Sequence, residues 1–153
     1  MNIYGGSEMF KHILVPTDGT PFSDKAIEMA LNVAKLSGAS VSIITASVPF
    51  HVLTTETLSL SDTKESYAVD AKKRGEERLK FGLERAKAHA VSADSEHVFN
   101  DHPYEAIIDM AIKKGCDLIV MASHGRRGVA GLLIGSETTK VLTHSKTPVL
   151  VCR

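Results

Sequence analysis

The chain has no excess of charge of either sign: 18 Lys and Arg balance 18 Asp and Glu over 153 residues. A balanced chain lacks the basic footprint that duplex nucleic acid demands and the polybasic pull toward an anionic membrane. Neither is expected as a partner, and any anion site must be built locally. Long apolar runs are missing too. Stretches such as Leu118 to Ala122 fall far short of the roughly 20 residues a membrane-spanning helix needs. Cysteine is scarce: Cys116 and Cys152 lie far apart, in or beside apolar strand patterns. Two buried, reduced thiols fit that placement better than a disulfide or a metal site. The histidines show no metal-ligand spacing, so no metal held by protein side chains is expected. The first ten residues lack the basic start and apolar centre of a secretory signal. With the thin cysteine use, this leads us to expect a cytoplasmic protein, with residues 1–8 a flexible extension and residues 9–153 a single domain.

What the chain does hold is an ordinary globular balance, 43% apolar and 24% charged, at a length that supports one real core and not two. Five segments have strand character: His12 to Thr17, the β-branched Ser40 to Ala46, a weaker Ser95 to Asn100, the nearly all-apolar Asp117 to Ala122, and Thr147 to Cys152. Continuous short apolar runs suit strands buried on both faces. Helix patterns lie between them. Ser23 is expected to cap a helix with Ile27, Ala30, Leu31 and Ala34 on one stripe and Gly38 at its end. The polar stretch from about Thr63 to His89 carries a narrow stripe of Ala68, Ala71, Leu79, Leu83 and Ala86, a surface-helix pattern. Pro103 suits a first turn, with Gly115 as terminator, and Ser136 is expected to cap a last helix bearing Val141 and Leu142. The Ser- and Thr-rich connection from Ser47 to Lys64 reads as a flexible loop able to cover a site.

Strand and helix therefore alternate, which predicts an α/β fold: a single-domain, five-stranded parallel sheet of Rossmann-like type with helices on both faces. Ligands of such sheets bind outside the carboxyl ends of the strands, where the strand order reverses. The rule points to Pro16–Gly19, Ala46–Val48 and Ala122–Ser136. The last of these, from Met121 to Ser136, has four glycines and two arginines between a buried strand and a helix start. Glycine lets backbone N–H groups approach a phosphate unobstructed, and a helix N-terminus adds donors and a positive dipole end. No Lys-Ser or Lys-Thr follows the last glycine, so it is not a P-loop, and it does not follow the first strand as a dinucleotide fingerprint does. Arg126 and Arg127 beside such a loop would offset phosphate charge. The competing reading is a glycine-rich surface loop with solvated charges.

The spacing Gly-x2-Gly-x9-Gly-Ser/Thr resembles that of the universal stress protein family, with Ala122, Gly125, Gly135 and Ser136 in its positions. His12 to Thr20 resembles the family's first strand and its Asp-bearing exit. Asp117 to Gly125 resembles the fourth strand, and Lys146 to Cys152 the last. The resemblance implies a fold like that of the adenine nucleotide α-hydrolases and a bound adenine nucleotide, ATP or a relative, with Mg²⁺ held through the phosphates. It places Pro16, Thr17 and Asp18 at the adenine and ribose, and Ala46 at the adenine with its backbone. Met121 and Ala122 would border the ribose and α-phosphate. Gly125, Gly135, Ser136, Glu137 and Thr138 would meet the phosphates. It also implies a homodimer paired, or with the strand exchanged, through Pro148 to Cys152. The departure is Ala122 at the first glycine position. If that residue must take a positive φ, alanine is strained by roughly 1 kcal/mol; if it is extended, the methyl is harmless.

The function expected is a stress-response regulator that binds ATP with little or no hydrolysis. An ATP-independent dimeric interaction protein of the same fold is the alternative. An ATP-consuming enzyme is less favoured, because Pro16 to Thr20 is neither a glycine- or serine-rich loop nor a histidine motif. A phosphoacceptor site would need two adjacent acids after the first strand and an acceptor after the third; Asp18 alone fills the first place and Asp101 is a poor candidate for the second.

Overall fold

The computed structural model describes residues 9–51, 60–126 and 134–153, with the side chains of residues 60–62 excepted. The extension expected at residues 1–8 lies outside the described residues. The elements run β1 (His12–Pro16), α1 (Pro21–Ser37), β2 (Ser40–Ser47), α2 (Leu60–Ala88), β3 (Ala93–Phe99), α3 (Pro103–Lys114), β4 (Leu118–Ala122), α4 (Ser136–His144) and β5 (Val149–Cys152). All strand pairs are parallel, in the order β3-β2-β1-β4-β5. The α/β sheet expected from the sequence is the one observed. Its strand order reverses between β1 and β4.

Side chains alternate between two cores, as the two-residue period of a strand requires. Ile13, Val15, Val41, Ile43, Leu118 and Val120 face Ala26, Ile27, Ala30 and Leu31 of α1 and Leu79 and Ala86 of α2. Leu14, Ile44, Ile119 and Met121 face Ile107, Met110 and Ala111 of α3 and Val141 of α4. Burying each such large side chain stabilises by roughly 1.5–3 kcal/mol.

Several boundaries differ from the sequence reading, each for a local reason. Thr20, not Ser23, caps α1: its hydroxyl accepts the Ser23 N–H at 3.3 Å, and Pro21 takes the first helical position. Gly135, not Ser136, is the N-cap of α4, because the Thr139 N–H bonds the Gly135 carbonyl at 3.0 Å. Helix α2 begins at Leu60, so the Leu60 to Lys64 part of the expected loop is helical; residues 52–59 lie outside the described residues. β2 runs one residue past Ala46, and β3 starts at Ala93 and ends at Phe99. Asp117 precedes β4 and receives the Lys11 and His12 N–H groups on its carboxylate at 2.8 and 3.1 Å. Thr147 and Pro148 precede β5. Gly38 and Gly115 do end α1 and α3, both in the left-handed region.

The α2 stripe expected from the apolar residues is largely the one observed, with Leu83 half-buried against the same core. Ala68 is exposed, and Gly75 and Gly82 join Ala71, Leu79 and Ala86 on the buried side. A Cβ on Gly82 would stand 2.7 Å from Ile43 Cδ1, and one on Gly75 2.7 Å from the His97 ring. Lack of a side chain brings the helix down onto β2 and β3. Its C-terminal half is tied to α1 by Glu28, which accepts from Arg85 and, at 2.9 Å, from His89.

Cys116 is buried and Cys152 half-buried, so the second thiol is less enclosed than expected; both are free. Burial pushes the Cys116 thiol up to about 11, which keeps it protonated and unreactive.

At the amino-terminal end of the sheet, Asp94 accepts from the buried Ser42 hydroxyl and, at 2.7 Å, from Lys114 Nζ; His12 Nε2 meets the same hydroxyl at 2.8 Å. Burial alone would raise the Asp94 carboxyl. The hydrogen bonds of Lys114 and Ser42, with the Lys114 and His12 charges, outweigh it and hold it below the usual range. A depressed carboxylate contributes stability above its unfolded value, about pH 4, and loses it as pH falls through the folded one. Asp94→Asn should therefore lower Tm at neutral pH, and the gap to wild type should close as pH is taken below about 4, read by thermal melts across a pH series.

Candidate functional site

The loops after β1 and β4 meet at the sheet's switch point. Thr17, just past β1, is buried, and its backbone and side chain are fully engaged. Its N–H bonds the Ile44 carbonyl at 2.8 Å, its carbonyl accepts the Thr45 hydroxyl at 2.8 Å, and its hydroxyl pairs with Ser23 at 3.1 Å. Thr17 thus braces the loop from inside. Pro16 ends β1 and Ala46 lies in register beside Val98 of β3; both are half-exposed.

Asp18 is the hinge of the arrangement. One carboxylate oxygen accepts the Thr20 N–H at 3.0 Å and the Thr20 hydroxyl at 2.6 Å, a local turn that launches α1. The other accepts the Arg126 N–H at 2.9 Å. The Arg126 guanidinium turns back and donates to the Asp18 carbonyl from Nε at 3.0 Å and from a terminal nitrogen at 2.8 Å. The loop after β4 is so close that a Cβ on Gly125 would stand 2.9 Å from the Asp18 carboxylate. Asp18 also pushes the Asp24 carboxyl up, second to burial as a cause.

Across the gap of the loop, residues 123–125 and 135 are drawn together. The Gly135 N–H donates to the Ser123 carbonyl at 2.6 Å. A Cβ on Gly135 would stand 3.2 Å from that carbonyl and 3.5 Å from His124 Cα. Thr138 is buried and donates its hydroxyl to the Ala122 carbonyl at 2.8 Å. Ser136 is exposed at the first position of α4. Glu137 points elsewhere: its carboxylate accepts the Tyr104 N–H at 2.9 Å and the Lys140 ammonium at 3.2 Å. It caps the start of α3, whose own N-cap, His102, makes no side-chain cap. Ser123 Oγ and His124 Nδ1 lie 2.9 Å apart, and the His124 ring stands 5.9 Å from Phe22.

The structure brings Asp18, Gly125, Arg126, Gly135 and Ser136 together and puts Thr17, Met121, Ala122 and Thr138 beneath them as buried support. Arg127 lies outside the described residues. Ala122 ends β4 in extended backbone, and Ala90 is the residue other than glycine that has a positive φ among the described residues. The methyl at position 122 is therefore unstrained. Sequence reasoning gave Ser23 a capping role and missed Thr20, Thr45 and Ser123, whose polar groups hold the loops; their place at or just past the carboxyl ends of strands was the available signal. No group of three or more His, Cys, Asp and Glu able to hold a metal occurs among the described residues, and none of their helices is long and apolar enough to cross a membrane.

The sequence profile of the Universal stress protein family matches residues 9–153. The chain belongs to the universal stress protein family. The universal stress protein MJ0531 of Methanocaldococcus jannaschii is 33% identical over 153 residues, covering 99% of this chain and 86% of the relative. Among solved structures, MJ0577 of the same organism superposes with a TM-score of 0.80 at 24% identity, covering 94% of this chain and 95% of that one, a likeness of fold. A universal stress protein in complex with cAMP superposes with a TM-score of 0.66 at 28% identity, covering 94% and 97%. In this universal stress protein alanine at the first motif position is unstrained because its backbone is extended, and its carbonyl accepts the Thr138 hydroxyl.

That link gives a direct test. Thr138→Val keeps shape and removes the hydroxyl, leaving the Ala122 carbonyl unpartnered under α4. It should cost about 1–3 kcal/mol of stability, measured by denaturant unfolding.

Proposed function

We propose that this universal stress protein is a regulatory module that binds an adenine nucleotide, ATP with Mg²⁺, at the carboxyl ends of β1 and β4. The observation that carries the reading is the Gly125–Gly135 approach. Two loop glycines stand where side chains would press on Asp18 and on the Ser123 carbonyl, next to the first turn of α4. Such a cradle suits a phosphate chain: glycine backbone lies open, and the first-turn N–H groups of α4 add donors and a positive end. The cAMP complex of a 28%-identical neighbour supports an adenine nucleotide as the ligand class.

On this reading Pro16, Asp18 and Ala46 flank the base and ribose. Gly125, Gly135 and Ser136 take the phosphates, with the backbone of Glu137 and Thr138 behind them. Mg²⁺ would be held by the phosphates and supply charge neutralisation. Met121, Ala122 and Thr17 shape the floor. Arg126 acts through Asp18, whose carbonyl its guanidinium holds. Little or no hydrolysis is part of this reading: Asp18 is tied to Thr20 and to Arg126 and lies at the ribose end of the ligand, so it serves to position the nucleotide. The chain would act in the cytoplasm in a stress response, through contacts that change with nucleotide.

Calorimetric titration of nucleotide-stripped protein with ATP and Mg²⁺ should give micromolar binding, lost in Gly135→Trp, whose side chain would fill the cradle. No binding at millimolar ATP would retire the nucleotide and leave the ATP-independent interaction protein.

A homodimer belongs to the same proposal. β5 is an edge strand of the sheet, and Leu150 on it is exposed; an apolar edge of this kind invites pairing with a second chain. Light scattering at micromolar concentration should give twice the 16.5 kDa chain mass, and Leu150→Lys should return the monomer.

A further inference from the structure

Asp18 stands between two arginines. Arg126 approaches from the β4 side and is held by the Asp18 carbonyl. Arg78 approaches from the opposite side, out of α2. It lies on the docked side of that helix, between Gly75 and Gly82, and is half-buried. Its chain crosses Gly19, the residue after Asp18. A Cβ on Gly19 would stand 3.0 Å from Arg78 Cγ and 3.1 Å from its Nε, and Gly19 has a φ of 77°. The left-handed backbone favours glycine there, and its missing side chain lets the arginine lie close over the loop. The guanidinium forms no hydrogen bond or ion pair among the described residues. A half-buried arginine with its donors uncommitted is poised for something outside the chain.

We infer that Arg78 is a base-recognition residue, its planar guanidinium lying against the purine ring of the nucleotide. The inference rests on the nucleotide reading above and adds a residue to it. Sheet order decides which end of the ligand Arg78 meets. The glycine cradle follows β4, on one side of β1. Helix α2 packs on β2 and β3, on the other side. A nucleotide with its phosphates over Gly125 and Gly135 therefore extends past Asp18 toward Ala46 and Arg78 with its base. A flat cation over a π face attracts it, and a guanidinium does so in a geometry that an ammonium does not reproduce.

The test is calorimetric titration of the full chain with AMP and with ATP and Mg²⁺, using wild type, Arg78→Ala and Arg78→Lys, each checked for an unchanged Tm. Both variants should weaken both ligands by about tenfold, by the same factor for AMP as for ATP. Wild-type affinity in Arg78→Ala would overturn the inference while leaving the nucleotide site standing. A loss that grows with the number of phosphates would overturn it too, by assigning Arg78 to the phosphates. Full rescue by Arg78→Lys would show a point charge rather than a planar contact. Failure of wild type to bind either nucleotide would bring down the nucleotide reading itself, and this inference with it.

Discussion

Everything in this molecule depends on β1 being enclosed from four directions. Its neighbours in the sheet are β2 and β4, and its faces are buried, Ile13 and Val15 under α1 and Leu14 under the α3–α4 layer. No solvent reaches those three side chains. A strand so placed cannot shift register without turning its apolar residues onto the wrong layers. Its exit is thereby held at one point, and Asp18, two residues past Pro16, stands where the loops of β1 and β4 converge. The carboxylate then serves two masters, starting α1 through Thr20 and anchoring the other loop through Arg126.

Much of this was legible in the sequence. β1, β2 and β4 are read easily because burial on both faces leaves almost nothing but apolar and β-branched residues. β3 was weaker because it is an edge strand and none of its residues is fully buried. The helix starts slipped where the chain offered two candidates for one role, Thr20 against Ser23 and Gly135 against Ser136. In α2 the apolar stripe was right but incomplete, since Gly75 and Gly82 dock the helix by being small, a property no hydrophobicity pattern registers.

The candidate site was legible in its backbone and not in its side chains. Glycine spacing is local and survives in the sequence. The direction of a long side chain is not: Glu137 reaches for the start of α3, and Arg126 for the Asp18 carbonyl, each 33 or more residues away along the chain. Arg78 was hidden in a run of Lys, Glu and Arg where every residue reads as a solvated surface. Only the docking of α2 singles it out.

Position 122 carries a broader consequence. What the neighbouring helix uses there is a carbonyl, fixed by the strand and met by Thr138, while the small methyl packs into the core below it. Extended backbone accepts alanine as readily as glycine, so a position that serves through its carbonyl has no need of glycine's freedom. The residue that depends on position 122 is the threonine sixteen places downstream, which reads the direction of a backbone carbonyl and not the identity of a side chain.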